Sequence, residues 1–204
     1  MAMESDDVLA INIQKSFLNL LNEHLPNDLI ETIKKNKSLK ILSIGCGRLR
    51  EAKCLFEYFN DCNNYLKLYG IDLDNEMLEL TKCDSEITKR KNSIYLKLAN
   101  ASNKESYEEW LKDGAFDLII LRHPEITFNT DPFIKIFSLC PGLLTKHGYL
   151  FITTHFENEK ESVKLLLKLL KFNLLVETEN KNPASFKKAE ELIFADKFVL
   201  VASI

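Results

Sequence analysis

Residues 40–52 of the chain read KILSIGCGRLREA, and this stretch decides the fold. Its apolar run over residues 41–44 is typical of a buried parallel strand, and it stops at Gly45-Cys46-Gly47 before a helical pattern begins. Glycines let a turn adopt backbone conformations closed to other residues and let a ligand lie against the main chain. We therefore expect a nucleotide-type ligand at this turn, although a strand-to-helix turn without a ligand fits the same residues.

The spacing of the glycines separates two classes of nucleotide fold. A dinucleotide fold uses Gly-x-Gly-x-x-Gly, and Arg50 stands at the place of the last glycine, which disfavours a nicotinamide-dependent oxidoreductase. The stretch instead resembles the first motif of the class I S-adenosylmethionine-dependent methyltransferases. In that family the loop reads approximately acidic-x-Gly-x-Gly and passes under the methionine part of the cofactor. Ser43 stands here at the acidic position and Leu49 where a third glycine is common.

The composition indicates one soluble domain. The chain has 204 residues, 46% hydrophobic and 28% charged, without a Pro/Gly/Ser-rich break. We expect residues 1–38 to form a helical cap and residues 39–204 to form the core of a single domain. A net charge of −3 disfavours nucleic acid as a partner. The basic clusters are interpreted as solvated faces; they are Lys34, Lys35, Lys37 and Lys40, and Lys89, Arg90 and Lys91.

Cysteine usage and the amino terminus predict a cytoplasmic protein. The five cysteines are odd in number and form no Cys-x-x-Cys pair, so we expect reduced thiols and no metal site. The first seven residues are acidic where a signal peptide is basic, and no apolar run approaches the length of a membrane span.

The remaining elements alternate between strands and helices. Two helices precede the first strand and either fold over a ligand or cover the sheet edge. Later elements are predicted as helix 50–59, strand 66–73, helix 77–91, strand 94–98, helix 104–112, strand 116–121, helix 131–139, a turn at Pro141-Gly142 into a fifth strand that ends at Thr154, helix 159–171, strand 174–178, a polar loop 180–190 and a last strand 196–202. This order also resembles the methyltransferase family. The resemblance implies an α/β fold, a Rossmann-like doubly wound sheet of seven strands, with the last strand antiparallel between strands five and six.

Asp72 is the strongest single candidate for a ligand contact. It ends the second predicted strand, where a carboxylate can accept hydrogen bonds from both hydroxyls of a ribose, while Asp74 is better placed to cap the next helix. Asn100 follows the third strand and can bond an adenine edge, or it is an ordinary loop residue. The resemblance implies S-adenosylmethionine as the cofactor, with a binding set of Gly45, Cys46, Gly47, Asp72, Leu73, Asn100, Ala101 and Arg122.

The tetrapeptide Arg122-His123-Pro124-Glu125 follows the fourth strand, on the side where open α/β sheets bind ligands. We expect His123 to act as a general base or to position the acceptor, and Pro124 to keep it extended. His155, at the exit of strand five, is the second catalytic candidate, whereas His147 enters the opposite end and should be exposed. Alternatively, the tetrapeptide is a polar cluster that braces the strand exit.

The predicted function is methyl transfer from S-adenosylmethionine to a small-molecule acceptor. The Asn/Asp-Pro-Pro-Tyr/Phe tetrapeptide of amino-methylating DNA and protein enzymes is absent, and so is a separate target-recognition domain. Two alternatives stay open: a protein acceptor, and a regulatory protein that binds S-adenosylmethionine or S-adenosylhomocysteine without catalysis.

Overall fold

The computed structural model describes residues 6–59, 65–188 and 191–204. Within these residues seven strands form one mixed sheet and two form a separate hairpin. The strands are β1 (Leu39–Ile44), β2 (Leu66–Asp72), β3 (Ile94–Leu98), β4 (Phe116–Arg122), β5 (Leu144–Thr154), β6 (Asn173–Glu179), β7 (Ser185–Lys188), β8 (Glu191–Phe194) and β9 (Phe198–Ser203). The large sheet has the order β3-β2-β1-β4-β5-β9-β6, and β7 pairs with β8.

The sheet confirms the predicted fold class. Strands β1 to β5 pair in parallel, and β9 is antiparallel to both β5 and β6 between which it lies. The strand order reverses direction between β1 and β4, which is the position where open α/β sheets form a crevice for ligands.

Helices cover both faces of the sheet. They are α1 (Asp6–His24), α2 (Asn27–Asn36), α3 (Ala52–Tyr58), α4 (Asn75–Lys82), α5 (Ser85–Lys89), α6 (Glu108–Leu111), α7 (Thr130–Leu143) and α8 (Glu157–Leu169). All six residues of β1 are buried. Leu39 and Ile41 join the core on one face, and Leu42 and Ile44 join the core on the other, because successive side chains of a strand point to opposite sides.

Helices α1 and α2 cover the face of the sheet and not its edge. The ring of Phe17 meets that of Phe151 of β5 edge-on at 5.8 Å, and the Tyr149 hydroxyl donates to Asp28 of α2 at 2.6 Å. One residue of α1, Ile13, also lines a cavity described below. Among the described residues, the structure contains no helix that is both long and apolar enough to cross a membrane.

Two predicted helices are interrupted. The segment 77–91 divides into α4 and α5, because the Asp84 carboxylate accepts the Ile87 N–H at 3.4 Å and so begins a second helix. The segment 104–112 consists of a 3₁₀ turn, Lys104–Ser106, followed by the single turn of α6.

Two local predictions in the second half of the chain are wrong. Pro141-Gly142 lies inside α7 and not in a turn, since burial of Cys140 and Leu143 on either side favours the continued helix over the lost N–H. The polar loop 180–190 contains β7, which pairs with β8. Residues 189 and 190 of that loop, and Cys62, lie outside the described residues.

Lys40 is not part of a solvated face. It is buried, and its Nζ donates to the carbonyl oxygens of Trp110 at 2.8 Å and Gly114 at 2.6 Å. Burial lowers the pKa of Lys40, although nearby Asp113 raises it. This lysine ties β1 to the turn before β4.

Candidate functional site

A cavity of about 560 Å³ opens at the carboxyl ends of β1, β2, β3 and β4. We call it the first cavity. It has the size of small-molecule sites, which range from roughly 300 to 1,000 Å³. Seven of the ten residues that the sequence predicts for the site line this cavity: Gly45, Asp72, Leu73, Asn100, Ala101, Arg122 and His123.

Asp72 is half-buried in the wall of the first cavity, at the last residue of β2. Its Oδ2 accepts the N–H of Gly47 at 2.6 Å, and its Oδ1 accepts the N–H of Asp74 at 2.8 Å. A carboxylate oxygen has two acceptor sites, so each oxygen keeps one for a further donor such as a ribose hydroxyl. Asp74 caps α4 as expected, since its side chain accepts the N–H of Met77 at 3.0 Å.

The turn after β1 needs left-handed backbone conformations. Gly45 has a φ of 65° and Gly47 a φ of 48°, and a Cβ at either position would meet no protein atom within 4 Å. Leu49, where the family often has a third glycine, also has a positive φ of 47° although it is buried. The open space beside Gly45 belongs to the cavity, so a ligand can approach the main chain there. Gly47 reaches the site through its N–H bond to Asp72.

Asn100 and Leu73 lie at the mouth of the first cavity. The Asn100 side-chain oxygen accepts the N–H of Ser102 at 2.9 Å, so this asparagine braces its own loop. Its Nδ2 group is left for a ligand. Leu73 is 70% exposed, which is unusual for a large apolar side chain beside a cavity and suits a covering ligand.

A second cavity of about 340 Å³ shares Gly45, Arg122 and His123 with the first. Cys46 and His155, which the sequence assigned to the same site, line this second cavity instead. Its other lining residues come from α1, from the turn before α3, from α4, from β7 and from the turn after β8: Ile13, Arg48, Arg50, Glu51, Met77, Phe186 and Ala195.

His123 and His155 form a stacked pair. Their ring centroids are 3.7 Å apart and the rings are 18° from parallel. His123 is not extended as predicted, since its φ is 53°. Its backbone N–H donates to Thr153 at 2.8 Å and its ring is held by Asp196, and these contacts outweigh the preference set by Pro124.

Asp196 is a buried carboxylate that sequence reasoning missed. It is fully buried in the turn between β8 and β9, and its Oδ1 accepts from Arg122 Nε at 3.1 Å and from the Thr153 hydroxyl at 2.5 Å. Its Oδ2 accepts from Arg122 Nη2 at 2.5 Å. The Arg122 guanidinium is therefore used by the protein itself, and it also stacks on the ring of Phe17 at 4.3 Å. An aspartate at a strand entry gives no sequence signal for this role.

The Asp196 carboxylate lies 2.9 Å from His123 Nε2, and the Asp196 backbone N–H lies 3.1 Å from the same nitrogen. The two contacts require different tautomers. We place the proton on Nε2, because a hydrogen bond to an ionised carboxylate is stronger than one from a backbone N–H. This tautomer leaves the lone pair on Nδ1, for which no other described residue supplies a hydrogen-bond partner.

Burial and charge shift the pKa values in this cluster. Burial alone would raise the pKa of Asp196, but Arg122 and His123 hold it well below its usual range. Burial lowers the pKa of His123 below 6.5, and the opposing effect of Asp196 is smaller. His123 is therefore neutral near pH 7, the form in which it can take a proton.

Glu51 lies beside Ser43, the residue that replaces the acidic residue of the methyltransferase motif which the sequence resembles. The Ser43 hydroxyl donates a short hydrogen bond to Glu51, which is buried and lies 3.8 Å from Arg122. A carboxylate is thus present next to the position where the family has an acidic residue, but it comes from the residue before α3. The sequence signal for it was only an acidic residue at the start of a helix.

Comparison with known proteins finds solved structures of the same fold. An S-adenosylmethionine-dependent methyltransferase from Clostridium acetobutylicum has a TM-score of 0.59 at 15% identity, over 96% of this chain and 92% of that one. A TehB-like S-adenosylmethionine-dependent methyltransferase from Corynebacterium glutamicum has a TM-score of 0.56 at 17% identity, over 97% and 99%. The chain has the fold of the S-adenosylmethionine-dependent methyltransferases.

The methyltransferase fold is also seen in a liganded structure. The glycopeptide N-methyltransferase MtfA, complexed with S-adenosyl-L-methionine, has a TM-score of 0.58 at 9% identity, over 86% of this chain and 92% of that one. No protein-family model matches the chain, and no curated protein matches its sequence. The likeness to the methyltransferases therefore lies in the fold.

Proposed function

We propose that this protein is a methyltransferase that binds S-adenosylmethionine in the first cavity and transfers the methyl group to a small molecule. The observation that carries the proposal is the meeting of Gly45, Asp72 and Asn100, from three separate strand ends, in one cavity. Proteins of the same fold at low identity are S-adenosylmethionine-dependent methyltransferases, which supports the proposal.

The residues present fit this cofactor. Gly45 leaves open space against the main chain, Asp72 keeps acceptor sites for ribose hydroxyls, and Leu73 offers an apolar surface for a base. Asn100 and Ala101 lie where the adenine edge would be bound. When bound, S-adenosylmethionine supplies an electrophilic methyl group whose transfer leaves neutral S-adenosylhomocysteine.

The protein's own task is then alignment and proton removal. In this proposal the acceptor occupies the second cavity, which shares His123 with the first. His123, neutral and held by Asp196 through Nε2, takes the proton of the acceptor hydroxyl or amine on Nδ1. His155, stacked on it and donating from Nδ1 to the Phe194 carbonyl at 3.0 Å, keeps the ring in place.

A small-molecule acceptor is supported by the size of the second cavity, about 340 Å³, and by the hairpin β7–β8 that contributes Phe186 to its wall.

A cytoplasmic location is part of the proposal, supported by the free thiols of Cys46, Cys54, Cys83 and Cys140.

Calorimetric titration with S-adenosylmethionine, S-adenosylhomocysteine and NAD tests the cofactor. We expect the first two to bind and NAD to give no heat of binding. Binding of NAD alone, or of none of the three, would reject the proposal.

Incubation of a metabolite extract and a protein extract with radiolabelled methyl donor then separates the alternatives for the acceptor. Label in small molecules supports the proposed acceptor class, label in protein supports a protein acceptor, and no label with intact binding supports a regulatory role.

A further inference from the structure

The second cavity combines an apolar wall with a cationic rim. Ile13, Met77 and Phe186 supply apolar surface from three different elements, and Phe186 meets the ring of His155 edge-on at 6.1 Å. A flat apolar group can therefore lie beside the stacked histidines.

Arg48 and Arg50 form the rim, and both are exposed. In the described parts of the chain, no hydrogen bond or ion pair uses either guanidinium group, although Arg50 accepts a bond at its backbone oxygen from Gln14. Two cations without counter-ions beside one concave surface attract an anion. Arg122 differs from them, because its guanidinium is bound to Asp196.

The acidic groups at the cavity do not neutralise the rim. The Glu51 carboxylate accepts from Ser43 and lies near Arg122, and Asp196 accepts from Arg122, Thr153 and His123. These carboxylates are engaged on the buried side of the cavity, so the positive charge of Arg48 and Arg50 stays available at its mouth.

We propose that the methyl acceptor is a small organic acid, whose anionic group pairs with Arg48 and Arg50 while its apolar body lies on Ile13, Met77 and Phe186. The inference rests on the proposed function, because it assigns the second cavity to the acceptor. Guanidinium groups bind carboxylates and other planar or tetrahedral oxyanions through two parallel N–H bonds, which suits such an anchor. The atom that receives the methyl group belongs to a second functional group of the acceptor, and this group faces His123.

A matched pair of fluorescent probes tests the charge requirement. 8-Anilinonaphthalene-1-sulfonate is an apolar anion, and N-phenyl-1-naphthylamine has the same ring system without the sulfonate. We expect the anionic probe to bind the wild-type protein and to lose about tenfold in affinity in the double variant Arg48→Gln/Arg50→Gln, since two exposed ion pairs are lost together. The neutral probe should change by less than about twofold in the same variant, because its apolar contacts are retained.

Lys53→Gln is the matched control. Lys53 is an exposed cation of α3 that lines a neighbouring cavity together with Arg48 and Arg50 but does not line the second cavity, so probes bound in the second cavity should bind this variant as they bind wild type. Unchanged affinity of the anionic probe in the double variant, or an equal loss in Lys53→Gln, would overturn the inference.

The affinity for S-adenosylhomocysteine, measured in the same variants, separates this inference from the proposed function. Retained S-adenosylhomocysteine affinity together with loss of the anionic probe supports an acceptor anchor. If both affinities fall equally, the arginines serve the carboxylate of the cofactor and the inference fails, while the proposed function stands. If the wild type does not bind S-adenosylhomocysteine, the proposed function fails and the assignment of an acceptor fails with it, while the probe titrations decide separately whether the arginines bind an anion.

Discussion

Asp72 illustrates how one carboxylate can serve the fold and a ligand together. It joins the glycine turn to the start of α4 through its bonds to the N–H groups of Gly47 and Asp74, and it keeps acceptor sites toward the first cavity. Because the same side chain shapes the turn and faces the cavity, its loss should weaken both the turn and ligand binding.

Asp72→Ala should weaken binding of S-adenosylmethionine more than about tenfold, because a hydrogen bond to a charged group contributes about 1.5–3 kcal/mol. Calorimetry with S-adenosylmethionine measures the effect. Asp113→Ala is the control. It removes an exposed carboxylate near the amino ends of the strands, beside Lys67, and should leave the affinity for S-adenosylmethionine unchanged. A folded Asp72→Ala protein with wild-type affinity would show that ribose is not bound there.

His123→Gln should lower turnover about 100-fold while cofactor affinity stays nearly unchanged, the usual scale for losing a proton-transfer group. The wild-type rate should rise with pH with its midpoint below pH 6.5, because burial lowers the pKa of His123 and the neutral form is the active one. Rates measured across the pH range with an identified acceptor check both points. His147→Gln is the control, since this histidine is exposed at the other end of β5. Turnover within a few fold of wild type in His123→Gln would leave it a bracing role only.

At the scale of elements, the turn between β1 and α3 is the part of the fold that makes room for a ligand. Its three left-handed residues, Gly45, Gly47 and Leu49, place the chain below both cavities without filling them. The hairpin β7–β8 has the complementary role, because Phe186 closes the second cavity from the opposite side.

Gly45→Ala should therefore reduce S-adenosylmethionine binding beyond the effect of backbone strain. Gly114→Ala is the matched control, because Gly114 also has a positive φ, 99°, and open space around its Cβ, but lies in the turn before β4. Both variants should lose unfolding free energy, about 1–2 kcal/mol in Gly45→Ala, where alanine must adopt the left-handed region, and at least as much in Gly114→Ala, whose φ lies outside that region. Only Gly45→Ala should lose cofactor affinity in calorimetry. Equal affinities in the two variants would place the ligand away from this turn.

At the scale of the whole molecule, the buried Asp196 cluster joins distant parts of the sheet. Arg122 at the end of β4, Thr153 of β5 and Asp196 before β9 meet in it, and the Asn180 amide connects the Asp196 carbonyl to Ser16 of α1. The cluster therefore positions His123 and also fastens the helical cap to the sheet. Removing the charge of either Arg122 or Asp196 leaves the other buried charge without its partner, so the loss of one should destabilise the whole cluster.

The stability of the protein should fall in acid in two stages. The folded-state pKa of His123 lies below its ordinary 6.5 and that of Asp196 below its ordinary 3.8. In each case the unfolded chain takes up the proton first, so the free energy of unfolding decreases as the pH falls below about 6.5 and again below about 3.8.

Urea unfolding at a series of pH values measures this dependence. In His123→Gln the free energy of unfolding should no longer decrease in the first stage, because glutamine does not titrate, but it should still decrease in the second. A free energy of unfolding that does not change between neutral pH and about pH 5, or a first stage that persists in His123→Gln, would contradict the assignment.

The sequence by itself determined the strands of the sheet and most of the residues at the sheet edge where the candidate site lies. The run at residues 41–44 and the apolar strand before Arg122 identify buried parallel strands, because strand length and burial depend on local residue types. The residues that follow such strands must meet at one edge, so Asp72, Asn100 and His123 could be assigned to one site before their distances were known.

Only the tertiary structure decided which charged groups meet behind that edge. Arg122 pairs with Asp196, 74 residues later, and Ser43 receives the carboxylate of Glu51 from the next element. The separation of His155 from the first cavity, and its stacking on His123, were decided in the same way. Residue types and spacing set the strands and their ends, but the partner of a buried charge depends on the packing of several elements at once, for which a linear sequence carries no local signal.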